Sequence, residues 1–334
     1  MTDASSRPAT MLDVARLAGV SHQTVSRYLR FDGGLKPATS ERIAAAIKEL
    51  DYRPNLVARS MRTRRTGRLA VILPGPNAFS PAPTVAGAVT AAHEAGYTVE
   101  ALSVGGGAEA RADRVRDLVA SGAVEGVLSL APLPEDFDVH PVPLVVSPDF
   151  DDDMRSIGHR ASGAGVAELV EGLAALGHRR FLHVTGDLTF AAARGRRDVF
   201  LETVARLGLE NAGVVEGDWG AESGAAAVRD LAPGAATAII AANDIVAGGA
   251  IRAALDRGWD TPGTLSVTGW DDHDLGSLLS PRLTTVRMDH RRLGHEAMAM
   301  LVAAVRGDAP EAPPTEPAPV HRVIWRDSTG PAPA

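Results

Sequence analysis

Apolar residues recur with helical spacing through Leu12, Val14, Ala15 and Ala18. They do so again through Val20, Val25, Tyr28 and Leu29, with Gly19 between the two runs. This pattern predicts two short helices, at 11–18 and 22–30, joined by a tight turn. Gly19 supplies the backbone freedom that a sharp turn needs. Ser21 is a good N-cap for the second helix, and Thr10 with Asp13 reads as a reduced capping box for the first. After the turn signal Phe31-Asp32-Gly33-Gly34, Pro37 suits a first helical position. Thr39 to Leu50 then predict a third amphipathic helix with Ile43, Ala46, Ile47 and Leu50 inward. A helix pair of this shape places its second helix in the major groove of DNA, so the three helices make a minimal DNA-binding head.

From Leu69 the pattern changes. Short apolar runs at 69–73, 97–102, 124–130, 143–147, 180–185, 236–241 and 264–269 predict strands. Amphipathic stretches at 82–95, 109–121, 163–176, 191–208, 222–231 and 244–257 predict helices between them. The alternation predicts parallel sheets flanked by helices, and the irregular acidic stretch 148–160 divides the body into two α/β subdomains. A ligand would sit at the carboxyl ends of the strands, in the cleft between the halves. VHRVIW at 320–325 reads as a last strand, and 327–334 as a fraying end.

Charge sharpens this division. Residues 1–68 carry 13 Lys and Arg against 6 Asp and Glu, a net +7, while the remainder carry 21 against 35, a net −14. A basic head on an acidic body suits a head that meets phosphate. Segment 54–68 holds five arginines and the apolar Met61, and its short helix is expected to fold only when docked. Composition adds exclusions. There is no cysteine, so disulfides and thiolate metal sites are ruled out. The first residues have no apolar signal core, and no run of 18 apolar residues exists, so neither secretion nor a membrane span is expected. HExxH, GxSxG and Walker motifs are absent. The acidic-histidine run Asp271-Asp272-His273-Asp274 is a poor metal site, because neighbours on one loop rarely all point at one ion.

The stretches DVARLAGVSHQTVSRYL and ERIAAAIKELDYRPNLVARSMRT resemble the head and hinge of the lac-repressor (LacI/GalR) family. So do LGHRRFLHVTG, GDW with ESG, AANDIVAGGAIRAALDRGW, LSVTGWDD, SPRLTTVRMD and RDSTG in the body. The resemblance covers nearly all of residues 10–330. It implies a helix-turn-helix head at 10–53, a hinge at 54–68 and a two-lobed body at 69–330, built like periplasmic sugar-binding proteins. Lobe one would take about 69–158 and 288–319, and lobe two about 159–287 and 320–330. The helix from Leu293 to Val305 would contribute its apolar side to a dimer interface.

The resemblance assigns base reading to His22, Gln23 and Arg27. Gln pairs with adenine, Arg with guanine, and His donates to a purine acceptor. Thr10, Ser21 and Thr24 are placed for phosphate contacts. In the hinge, Met61 would wedge into the minor groove, with Asn55 and Ala58 along the same face. In the cleft, Arg194, Asn243 and Asp271 would bond sugar hydroxyls and Trp219 would stack on the ring. Phe79 and Pro83 would form an apolar wall from the other lobe. Asp244 is read as the cap of the helix that follows Asn243. Ser147-Pro148, His159-Arg160 and His290 depart from the family's usual residues and leave the identity of the sugar open.

The expected protein is a cytoplasmic, homodimeric transcriptional repressor without a cofactor. It would bind a near-palindromic double-stranded operator and be released by a saccharide, with a galactoside-like one as the candidate. Two alternatives stay open: a regulator using a corepressor such as a purine, and a sugar-binding protein without DNA control.

Overall fold

The computed structural model of the chain describes residues 9–29, 35–52, 65–73, 81–134, 136–146, 163–308 and 321–333. The chain forms two compact units, divided between Thr66 and Gly67.

The first unit contains α1 (Met11–Ala18), α2 (His22–Leu29) and α3 (Pro37–Glu49). The capping box of α1 is complete. The Thr10 hydroxyl and backbone N–H both donate to the Asp13 carboxylate, and the Asp13 N–H donates back to the Thr10 hydroxyl. Gly19 then adopts a left-handed φ of 63°, which a side chain would strain. The Ser21 hydroxyl accepts from the Thr24 N–H at 3.1 Å and caps α2. Val14, Ala15, Ala18, Val25, Ile43, Ala46 and Tyr52 fill the small core. Its side chains are mostly short, so three short helices can approach closely enough to exclude water.

The second unit opens with a parallel sheet in the order β2-β1-β3-β4. Its strands are β1 (Arg68–Leu73), β2 (Thr98–Ser103), β3 (Gly126–Ser129) and β4 (Leu144–Val146). Helices α4 (Ala82–Glu94) and α5 (Ala108–Ala120) provide crossovers. A second parallel sheet follows in the order β6-β5-β7-β8: β5 (Arg180–Val184), β6 (Glu210–Val215), β7 (Ala238–Ala241) and β8 (Ser266–Thr268). Around it lie α6 (Ala164–Ala175), α7 (Ala191–Arg206), α8 (Ala221–Arg229) and α9 (Asp244–Asp256). Each sheet reverses its strand order beside its first strand, and such a reversal opens a crevice at the carboxyl ends of the strands. The fold is thus a helix-turn-helix head followed by a two-lobed α/β body.

After β8 the chain runs through β9 (Thr285–Met288), α10 (His290–Arg306) and β10 (His321–Ile324), with β10 antiparallel to β9. Helix α10 departs from expectation in two ways. It begins at His290, three residues before Leu293, and its apolar side is spent inside the chain. Leu293, Ala297, Met298, Leu301 and Val302 are buried, and the last four share a cluster with Leu69, Val71, Ala88 and Leu128. The helix crosses α4 so closely that a β-carbon on Gly87 would lie 1.9 Å from the Arg291 carbonyl oxygen. That side is therefore closed to a partner subunit.

Two strands escape the apolar pattern. β6 reads ENAGVV, polar and small over its first half, and Gly213 takes φ 136° beside a register shift in β5. β9, TVRM, is too short to stand out. The end of the chain also differs, since 326–333 is bonded in place and not frayed. Ser328 accepts the Val267 N–H at its carbonyl, donates its hydroxyl to the Val267 carbonyl and its N–H to the Arg282 carbonyl, and accepts the Thr284 N–H at its hydroxyl. His178 joins Thr237 to the Gly330 carbonyl, at 3.0 Å on each ring nitrogen.

Candidate functional site

On the head, His22, Gln23 and Arg27 are exposed at the start and middle of α2. Gln23 and Arg27 are one helical turn apart and share a face. Thr24 is half-buried, and its hydroxyl lies 2.8 Å from that of Ser21. Thr10 faces inward in function, because its hydroxyl belongs to the capping box. Asn55, Ala58 and Met61 lie outside the described residues.

In the body, four loops leave the carboxyl ends of the second sheet: 185–190 after β5, 216–219 after β6, 242–243 after β7 and 269–273 after β8. Trp219, Asn243 and Asp271 all stand on them, so the sheet gathers residues that are far apart in sequence. Trp219 is buried, 6% exposed, with a left-handed φ of 70°. Its ring meets Phe190 edge to face, with centroids 5.7 Å apart. The indole N–H has no hydrogen-bond partner among the described residues. Asn243 spans the neighbouring loops, donating from Nδ2 to the Trp219 carbonyl at 3.1 Å and accepting the Val246 N–H at 2.8 Å. It is the N-cap of α9, a role that sequence assigns to Asp244. The reason is geometric, since Asn243 keeps the extended backbone of a cap and Asp244 already lies in the first turn.

A buried guanidinium, that of Arg196, packs against two aromatic rings. Its Cζ lies 4.1 Å from the centre of the Trp270 ring and 5.7 Å from that of Trp219, and it donates to the Ala242 carbonyl at 2.7 Å. Arg194, also on α7, donates to the Leu188 carbonyl at 2.6 Å, on the loop that follows β5. Helical phase carries a signal for this. Arg196 falls three residues after Ala193 and four before Phe200, both buried, so it lies on the inward face of α7. Phe190 and Trp270 are further residues that sequence reasoning left out of the site.

Asp271 and Asp272 both take left-handed φ angles, 100° and 50°, which marks a loop held in shape by its surroundings. Asp271 Oδ1 lies 3.1 Å from His290 Nε2. Asp272 is bridged by Arg287 and Arg326, at 2.6 Å each. The His273 ring nitrogen accepts the Leu275 N–H. Each side chain from 271 to 273 thus serves a different contact, and none of them converges on a common point. Beneath them Asp244 is nearly buried, and burial pushes its carboxyl up to about 7. Asp218, at the rim, is held low by the Ser223 hydroxyl and the Gly220 N–H.

From the other lobe, Leu73, Val85 and Val146 pack with Phe190 and Trp219 in one apolar cluster. Pro83 stands exposed in the first turn of α4, and Phe79 lies outside the described residues. The strand-end loops and α7 carry aromatic faces, a planar cation and a carboxylate. Such groups hold a polyhydroxylated ring. Among the described residues no helix is long and apolar enough to cross a membrane.

Comparison with known proteins agrees with both halves. The model of the bacterial regulatory proteins, lacI family, matches residues 10–55, and that of a periplasmic binding protein-like domain matches 170–329. The chain is 32% identical over 316 residues to the lactose operon repressor of Escherichia coli (strain K12), covering 91% of this chain and 86% of that one. The solved lac repressor dimer bound to operator and the anti-inducer ONPF superposes with a TM-score of 0.78 at 29% identity, over 97% of this chain and 100% of its own. A complex of the transcriptional regulator CelR with cellobiose gives a TM-score of 0.63 at 28% identity, over 96% and 99%.

Proposed function

We propose that this chain, which belongs to the lacI family of bacterial regulatory proteins, is a repressor released from its operator by a small saccharide bound in the body. It is a DNA-binding transcriptional regulator and not an enzyme. The observation that carries the saccharide is the grouping of Arg196 between Trp219 and Trp270, with Asp271 following Trp270 and Asn243 fixing the Trp219 loop. A purine would use the aromatic faces, but a carboxylate at Asp271 and an amide at Asn243 on neighbouring strand-end loops favour a ligand rich in hydroxyls. The CelR complex supports the same class, since its ligand is cellobiose.

The reading extends to assembly and location. The protein acts in the cytoplasm as a homodimer whose two heads meet two half-sites of a near-palindromic operator, each read by His22, Gln23 and Arg27. Asn55, Ala58 and Met61 of each subunit engage the minor groove between the half-sites. The subunits join through the exposed apolar group Leu275, Leu278 and Leu279, which leaves the α10 side inside the chain. Residues 10–53, 54–68 and 69–330 are the reader, the hinge and the sensor.

The mechanism is a linkage. A saccharide that fits one arrangement of the lobes better than the other shifts the population, and operator affinity changes by the same factor as saccharide affinity changes on DNA. The test is fluorescence anisotropy of labelled operator, selected in vitro with the full chain, titrated with mono- and disaccharides including cellobiose. Release by one of them is expected. Tighter operator binding with a purine base, or no saccharide effect at saturation, overturns the reading.

A further inference from the structure

The carboxylate of Asp244 sits in an unusual position. It is 7% exposed, one residue past the cap of α9, and directly under the loop that carries Asp271. The Thr285 hydroxyl donates to its Oδ1 at 2.5 Å, and the His273 backbone N–H donates to its Oδ2 at 2.6 Å. The Asp244 N–H donates to the Trp270 carbonyl at 2.9 Å. A β-carbon at residue 269 would lie 2.2 Å from Oδ1, so Gly269 is what lets the loop close over the carboxyl group. Asp244 therefore holds the loop from both ends, at Trp270 and at His273. Between these points the backbone runs through the left-handed residues Asp271 and Asp272.

Charge around Asp244 is one-sided. Asp272 has Arg287 of β9 and Arg326 of the final segment; Asp271 has His290 of α10. On the α7 side Arg196 lies over the Trp270 ring. His273 presents its backbone and turns its ring nitrogen to Leu275. Among the described residues no cation pairs with Asp244 itself. A proton on Asp244 removes a buried negative charge next to two others, and the neutral acid fits the site better than the ion.

We propose that Asp244 is the positioning residue for Asp271, a proton-dependent clamp that keeps the Gly269–His273 loop in the shape described above while protonated and loosens it when ionised. The consequence for the effector rests on the saccharide reading: binding through Asp271 tightens on acidification and weakens as pH rises. The sign follows from the burial of Asp244. Folding favours its protonated form, so this contribution is complete below the ordinary carboxylate range and is lost as pH rises through about 7.

The test separates the clamp from the effector. In the full chain, the indole N–H resonance of Trp270 is followed by heteronuclear NMR from about pH 5.5 to 8.5, without ligand. A step is expected near 7. Asp244→Asn, which keeps the size of the group and imitates the neutral acid, should abolish the step. His290→Gln should leave it in place, which excludes the imidazole as its source. A step that survives in Asp244→Asn, or vanishes in His290→Gln, overturns the clamp. If Asp244→Asn does not fold, Thr285→Val, which removes the hydroxyl donor, should move the step to higher pH, and an unmoved step is equally fatal. In a second arm, cellobiose is titrated at about pH 6 and 8, where a roughly tenfold weaker affinity at the higher pH is expected in wild type and none in Asp244→Asn. Absence of cellobiose binding bears on the effector reading alone, since the NMR step needs no sugar.

Discussion

The indole of Trp219 lies flat on Gly186. A β-carbon at residue 186 would stand 2.4 Å from three carbons of the ring system. The glycine is thus the seat on which the Trp219 side chain rests, two residues past the end of β5. Gly186→Ala should push the indole off this seat, costing about 1–3 kcal/mol of stability. It should weaken saccharide binding while leaving operator binding of the free protein intact. Tryptophan emission and anisotropy on operator DNA check the two halves. Equal losses in both would show a global defect instead.

The α4–α10 crossing is another place where a single methyl has no room. A β-carbon on Gly294 would meet the Thr84 carbonyl oxygen at 1.9 Å, as one on Gly87 would meet that of Arg291. Both obstacles are backbone, so the helices must move apart. Gly294→Ala is expected to lower the denaturation midpoint by the equivalent of roughly 1–3 kcal/mol, with an unchanged denaturant slope. A midpoint that stays put would mean that the helices part without loss.

Much of the head is legible in the sequence because its determinants are local. Gly19, the Thr10–Asp13 box and Ser21 act within four residues of themselves, and the structure shows each bond. The body's strands are legible where both faces are buried, as in β1 and β7, and illegible where half the strand is polar, as in β6. The site is harder. Arg194, Arg196 and Arg197 look alike along the chain, and only their helical phase against Phe200 separates the inward one. Asn243 and Asp244 both suit a cap, and what distinguishes them is the backbone, extended at Asn243, while the Asp244 N–H donates to the Trp270 carbonyl, distant in sequence. The end of the chain looked loose because nothing in RDSTG announces that Thr284 and Val267 need it.

Within the head the two kinds of contact should separate. Gln23→Ala should relax specificity at one operator position by about 1–3 kcal/mol, while leaving the head folded. Thr10→Ala removes a cap and should cost about 1 kcal/mol of helix stability, without changing which sequence is preferred. In vitro selection of operators with each variant decides this. A changed preference with Thr10→Ala would assign that residue a reading role.

Two buried groups should pull the pH dependence of stability in opposite directions. Burial, aided by Arg196 and Arg197, brings the His183 imidazole down to about 4, although its Nδ1 bond to the Ile240 carbonyl acts the other way. The unfolded histidine binds its proton first, so this contribution is present above the ordinary histidine range and is lost as pH falls toward 4. Asp244 loses stability over nearly the same range as pH rises. Relative to wild type, His183→Asn should tilt stability toward low pH and Asp244→Asn toward high pH, each by about 1.4 kcal/mol per pH unit. Urea titrations from about pH 4 to 7 measure both tilts. Parallel curves for the three proteins would contradict the argument.

The subunit interface has a compact test. Leu278 is 77% exposed and Leu275 62%, in and just after the turn Asp274–Ser277. Leu278→Asp should yield monomers by sedimentation, with operator affinity lost far beyond a single contact because two heads no longer act together. Persistent dimers would move the interface elsewhere.

Ser328 closes the second sheet by bonding Val267, Arg282 and Thr284 at once. A ribosome delivers residues in order, so the DNA-reading helices emerge long before the residue that seals the sensor. During synthesis the three head helices can therefore close their own small core before the second sheet has received its final bonds.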